Sequence, residues 1–138
     1  MKALLVFFLF PLQLPAQDIT GIWTGYIQTT ETQLPYELVI SKDKDRISGY
    51  SLTVFTFNGV ENMGIKSMKF KNKNGKISIE DDELVYNNFS SPPRKVKLLA
   101  QLSLKAEDSV WILSGSFFTR SLDFRAETTN LFNGTIFL

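Results

Sequence analysis

The sequence contains neither cysteine nor histidine. Without cysteine there can be no disulfide, no thiolate nucleophile and no lipid-modified N-terminal cysteine. Without histidine, Ser-His-Asp and Cys-His catalysis are excluded, and so are the usual zinc and copper sites. An excess of charge of one sign is missing too: 15 Lys and Arg stand against 14 Asp and Glu. Nucleic-acid binding draws on counterion release from many phosphate contacts, and a balanced chain offers no footprint for it. Long apolar runs are confined to the first residues, so no later segment is apolar enough for a membrane-spanning helix.

What those first residues contain is an export signal. Met1-Lys2 supplies a positive n-region, and residues 3–10 are unbroken Ala, Leu, Val and Phe. That run is long enough for an h-region and too short to cross a bilayer. Pro11 breaks it, and Leu14-Pro15-Ala16 offers a small residue for signal peptidase. The expected division is a signal peptide over 1–16 and one domain over 17–138, delivered to the periplasm or the extracellular space. Loss of Lys2 leaves fourteen charges of each sign.

The domain reads as strand after strand. Segments 21–30, 33–41, 46–57, 60–71, 76–80, 83–89, 94–106, 110–120, 122–127 and 135–138 carry the β-branched, aromatic and alternating residues that suit a pleated surface. The cleanest is 94–106. Val96, Leu98, Ala100, Leu102, Leu104 and Ala106 share one face, and Lys95, Lys97, Gln101, Ser103 and Lys105 the other, with Leu99 the one apolar exception. That alternation marks a half-buried antiparallel strand. Asn58-Gly59 and Asn72-Lys73-Asn74-Gly75 are hairpin signals, and Glu107-Asp108-Ser109 a further turn. Only Ser90-Ser91-Pro92-Pro93 reads as a longer loop. Eight to ten strands on short connections make a single antiparallel meander that closes into a barrel and so removes its edges. A β-sandwich is the alternative, but it needs longer crossovers. Gly49 and Gly115 fall inside strands, where bends or bulges at barrel corners are expected.

The chemistry left is that of carboxylates, lysine, arginine, tyrosine and hydroxyls. The densest carboxylate group, Glu80-Asp81-Asp82-Glu83, could be a calcium site or a pair of acids. Its spacing reads better as a solvated turn between two strands. Asn88-Phe89-Ser90 and Asn133-Gly134-Thr135 match the N-glycosylation sequon. No spacing points to catalysis, and no cofactor or metal is implied: the chain reads as a non-enzyme.

The aromatics are more informative. Segments 50–57 and 111–118 are apolar on both faces in part, so both sides call for burial. One side would line the barrel, and the other could meet a partner. The expected interior contains Phe55, Phe57, Ile77, Ile79, Leu98, Leu102, Leu104 and Phe118, forming either a dry core or an apolar cavity with no convergent polar anchor. A transmembrane barrel would instead turn Leu98 and Leu102 to lipid.

At Gly21-Ile22-Trp23 the chain resembles the lipocalin and calycin group, whose first strand opens on Gly-x-Trp. The glycine lets the backbone bend, and the Trp ring plugs one end of a barrel. The resemblance implies a late basic residue packed across the Trp. Arg125 is the first candidate and Arg120 the second. The layout, from the Asp18-Ile19-Thr20-Gly21-Ile22-Trp23-Thr24-Gly25 opening to the terminal Gly134-Thr135-Ile136-Phe137-Leu138, also resembles a group of exported Gram-negative proteins. That likeness implies a fold and a compartment but no activity. Two functions stay open: binding of a small apolar ligand or lipid inside the barrel, or a structural or interaction role in the cell envelope with the barrel filled.

Overall fold

Asn-Gly pairs set the hairpins. Asn58 (φ 50°) with Gly59 (φ 74°), and Asn74 (φ 54°) with Gly75 (φ 76°), take the left-handed conformation that a two-residue type I′ turn demands. Such turns join consecutive strands in register, and the computed structural model is built from them. It describes residues 18–90, 95–122 and 132–138. The expected signal peptide and Arg125 lie outside the described residues.

Eight strands are described: β1 (Gly21–Gln28), β2 (Gln33–Asp43), β3 (Arg46–Phe57), β4 (Val60–Lys73), β5 (Lys76–Asn87), β6 (Val96–Glu107), β7 (Val110–Ser121) and β8 (Asn133–Phe137). Each pairs antiparallel with the next, and β8 returns to pair with β1 through Tyr26↔Phe137, Ile27↔Ile136 and Gln28↔Thr135. The fold is all-β, a single closed meander barrel, as the pattern of strands and short turns predicts. Two boundaries differ from expectation. Asp81-Asp82 is no turn, because β5 runs through it from Lys76 to Asn87. Asn133-Gly134 belongs to β8 rather than to the turn before it.

Alternation sorts the side chains. Leu38, Ile77, Ile79, Leu102, Leu113 and Ile136 are almost wholly buried and face inward. Each such side chain contributes about 1.5–3 kcal/mol over its exposed state. The barrel has two unlike ends. Hairpins β2–β3, β4–β5 and β6–β7 turn at one end, which Ile19, Trp23 and Leu138 help to close. Ile19 is buried, and the Trp23 indole N–H donates to its carbonyl at 2.9 Å. The connections β1–β2, β3–β4, β5–β6 and β7–β8 meet at the opposite, loop-bearing end.

Gly49 and Gly115 sit in ladders that run on without a register shift, so the expected bulges are absent. What glycine provides is close approach: a Cβ at Gly49 would run into the Val39 carbonyl oxygen, and one at Gly115 into that of Gln101. The barrel wall coils tightly at these points and leaves no room for a side chain.

The β6–β7 hairpin uses the same left-handed pair of conformations with no glycine, at Asp108 (φ 46°) and Ser109 (φ 67°). A left-handed non-glycine residue costs about 1–2 kcal/mol, partly offset by the unfolded-state freedom that glycine adds. Ser109→Gly is therefore expected to stabilise the fold by roughly 0.5–1 kcal/mol. A higher urea midpoint at unchanged slope is the readout. Gly115→Ala is expected to lower stability by about 1–3 kcal/mol or more, through overpacking against backbone.

Candidate functional site

The barrel wall is not uniformly laddered. β5 pairs with β6 from Lys76↔Ser103 to Glu80↔Leu99, and the ladder stops there. Above that point, among the described residues, β5 stays with β4 alone, and its register shifts twice, around Ile65/Lys66 and Lys66/Met68. The Ser67 hydroxyl fills one irregularity by accepting the Glu83 N–H at 3.1 Å. These bulges bend the loop-bearing half of β5 away from β6, which strands the backbone groups at the start of β6.

Two side chains replace the missing ladder. Asp81 Oδ2 accepts the Leu98 N–H at 2.9 Å. Lys66 donates to the same Asp81 oxygen at 2.5 Å and to the Val96 carbonyl at 2.9 Å. The Asp81 side chain is 5% exposed and that of Lys66 31%. The carboxylate quartet therefore divides by strand alternation. Asp81 points inward, while Glu80 pairs with Lys97 at 3.6 Å and Asp82 with Lys69 at 2.8 Å. These four acidic residues do not converge on a common point. The solvated-turn reading of Asp81 is overturned: β5 runs on through it, and the alternation of Ile77 and Ile79 carries this carboxylate to the inward face.

Tyr36, on the inward face of β2, is the second buried polar group. Its hydroxyl has no hydrogen-bond partner among the described residues. Burial, with the Asp81 carboxylate second, holds its pKa above the ordinary phenol range; the Ser51 hydroxyl opposes the shift without meeting it in hydrogen-bond geometry. Along the ladder Tyr36 is flanked by small residues. Gly25 pairs with it from β1 and Thr53 from β3, and Gly64 follows across from Thr53 on β4. Ser51, Asn62 and Thr119 are buried in the same half. An interior with no polar anchor was expected, and Tyr36, Lys66 and Asp81 correct that. They lie on three strands and share no local motif, so the sequence carries no signal that joins them.

Aromatic rings stand over this polar level. Asn88 accepts the Met63 N–H at 2.7 Å and so extends β5 past its last pair. That holds Phe89 over Gly64, with its ring 5.4 Å from that of Phe55.

The expected cavity residues separate in space. Ile77, Ile79, Leu98 and Leu102 are buried inward, and Leu104 packs against them. Phe55 reaches the loop-bearing mouth, where Phe57 stands at the rim 61% exposed. Phe118 faces outward, 53% exposed, because its neighbour Phe117 takes the inward position. It joins Leu99, Lys69 and Glu80 in a shallow groove on the outer wall. Gly21 and Trp23 begin β1 at the opposite end. Arg120, exposed near the loop-bearing end of β7, is too far along the barrel to cover Trp23.

Outside, Lys69 and Lys71 are exposed while Leu98 and Leu102 are buried, the reverse of what a lipid-embedded barrel needs. Among the described residues no helix is long and apolar enough to cross a membrane. A second outer concavity lies where β8 runs out and β1 and β7 are left unbridged. Ile22, Val110, Trp111 and Phe137 line it, all exposed. Comparison with known proteins finds no matching family model, no matching curated protein and no matching solved structure.

Removing Asp81 strands the Lys66 ammonium and the Leu98 N–H. Asp81→Ala is expected to cost about 3 kcal/mol, the low end for a broken buried pair because Lys66 is part-exposed. The double variant Lys66→Met/Asp81→Leu should lose less, and chemical denaturation of the set reads the coupling.

Tyr36 gives the opposite sign. Tyr36→Phe removes an unsatisfied buried hydroxyl and should stabilise the fold by roughly 1 kcal/mol at neutral pH. The Tyr36 pKa is raised in the folded state, so its contribution is intact below the unfolded phenol value of about 10 and is lost as pH climbs above it. Wild type should therefore lose stability in alkali faster than Tyr36→Phe, as read by urea midpoints across that range.

Proposed function

We propose that this is an exported, non-catalytic, lipocalin-like barrel that binds a small apolar ligand in its loop-bearing half. One observation carries the reading: the two halves of the interior are built differently. Towards the closed end, Trp23, Leu38, Ile40, Met68, Ile77, Ile79, Leu102 and Leu113 fill the space with bulky apolar side chains. Towards the loops, Gly25, Ser51, Thr53, Gly64 and Thr119 put small and partly polar positions among the bulky Ile27, Leu34, Leu98 and Phe117, beneath Phe55 and Phe89. An apolar pocket with a few polar groups is the ordinary form of a small-molecule site. Export to the periplasm or beyond rests on residues 1–16, and the absence of histidine and cysteine supports a binding role over catalysis.

A second reading has its own observation. Ile22, Val110, Trp111 and Phe137 make an exposed apolar cluster on the outer wall, and such clusters mark contact surfaces. On this reading the barrel is a filled envelope protein that works through its exterior.

Native mass spectrometry of the protein purified without detergent, followed by organic extraction, separates the two. The expected result is a discrete small-molecule adduct that is lost on denaturation and recovered in the extract. A clean apo mass together with self-association that Trp111→Ser abolishes would favour the outer-wall reading instead.

A further inference from the structure

Pairing registers line up side chains across a sheet, and on the outer wall from β4 to β7 they make two adjacent rows. One row runs through Lys71, Ser78, Gln101 and Ser116, the other through Lys69, Glu80, Leu99 and Phe118. Together they line the outer-wall groove, which has a volume of about 450 Å³. The short Ser78 and Ser116 side chains keep its floor low between Lys71, Gln101 and the Phe118 ring, which stands 53% exposed. The rows differ in chemistry. In the second, Lys69 is held by Asp82 at 2.8 Å and Glu80 by Lys97 at 3.6 Å, which leaves Leu99 and Phe118 as an apolar end. In the first, no hydroxyl, amide or ammonium has a partner among the described residues. An amide flanked by two hydroxyls offers donors and acceptors in a line. Lys71 adds the one cation of the groove that stands outside an ion pair among the described residues.

Independently of what the interior holds, we propose that this groove binds an oligosaccharide that carries a carboxylate. A pyranose ring has an apolar face of C–H groups and an edge of hydroxyls, and the two rows match that division. One C–H face lies against Phe118 and Leu99, and the hydroxyls of the chain reach Ser116, Gln101 and Ser78. From Phe118 on β7 to Lys71 on β4 the groove crosses three strand spacings, about 14 Å. That length takes a short oligosaccharide rather than a single sugar and sets its carboxylate at Lys71. Other ligand classes match less of the groove. An alkyl chain gains nothing from the polar row. A nucleic acid draws its affinity from many phosphate contacts, where the groove has one cation outside an ion pair. A protein partner of ordinary size would cover roughly 800 Å² of this face and would find only Phe118 and Leu99 in the groove as apolar anchors.

The test is a glycan array that carries neutral glucan, mannan and xylan fragments beside uronate-bearing pectin and alginate fragments. It is probed with the purified protein and followed by calorimetry on the strongest spot. The expected result is that the uronate-bearing fragments are retained best. Phe118→Ser should weaken them about tenfold by removing the ring that covers the sugar face. Gln101→Ala should weaken them about fivefold, the worth of one net hydrogen bond. Lys71→Met should lower uronate binding by about two- to fivefold and leave the neutral fragments unchanged. All three side chains are exposed, so these variants should keep the wild-type urea midpoint. Tyr50→Ser removes an equally exposed ring from β3, outside the groove, and should bind as wild type does. An array with no spot retained would overturn the proposal, and so would retention indifferent to Phe118→Ser. Self-association that Phe118→Ser abolishes, with no glycan bound, would overturn it in favour of a protein contact. Neutral fragments retained as well as the uronates would overturn the carboxylate at Lys71.

Discussion

Above Glu80 the β5–β6 ladder is gone, and the barrel is closed there by a lysine and an aspartate. Much of the loop-bearing half depends on that substitution. Backbone groups at the start of β6 must find partners once β5 bends away, because a buried unpaired N–H or carbonyl costs about as much as a lost hydrogen bond. Asp81 meets the Leu98 N–H, and Lys66 reaches past it to the Val96 carbonyl. The pair is thus a stitch across a seam, and its charges are tolerable in the interior because each neutralises the other and both are hydrogen-bonded to backbone. A plain hydrophobic pair could fill the volume but could not satisfy the two backbone groups.

The seam also explains why the interior divides. Where the ladder is continuous, inward positions are free to be bulky, and Ile77, Ile79, Leu102 and Leu113 pack the closed end. Where the wall is stitched, the inward face mixes the stitch and small residues such as Gly25, Ser51 and Thr53 with the apolar Ile27, Leu98 and Phe117. Alternation along β5 turns Asp81 inward just before the bulges that accompany the end of its ladder with β6, and the Asn88 side chain past the end of the strand sets Phe89 over Gly64.

How far this was legible depends on whether a feature is local. Strand β6 could be read residue by residue because its alternation from Val96 to Leu104 is broken only by Leu99, and the Asn-Gly turns named two hairpins outright. Those local signals suffice for the meander and its closure. Asp81 was misread because four acidic residues in a row look like a turn, although the alternation of Ile77 and Ile79 continues to Asp81 and the register shifts only beyond it. Phe117 and Phe118 pose the same problem in small, since two adjacent phenylalanines give no clue which one faces in. The Tyr36–Lys66–Asp81 group was invisible for a different reason. Its members come from β2, β4 and β5 and meet only through the closure of the barrel.

A closed barrel without a disulfide has to protect its own edges, and among the described residues this one is incomplete in two places. One is the loop-bearing half of β5, where Leu84, Val85 and Tyr86 are exposed. The other is the start of β1 beside β7, where β8 is too short to bridge them and Ile22, Trp111 and Phe137 are exposed. Unpaired edges invite pairing with other chains. At the first, bulges distort the edge and the Lys66–Asp81 stitch consumes the facing groups of β6, so little template remains. At the second, Leu138 exchanges backbone hydrogen bonds with Leu113 at 2.9 and 3.0 Å, which seals the interior but leaves the outer strand edges of β1 and β7 open. The two gaps are thus closed to different degrees. The first is satisfied from within by Lys66 and Asp81, whereas the second keeps the apolar side chains of Ile22, Trp111 and Phe137 on the outside, and the proposed interaction role rests on that face.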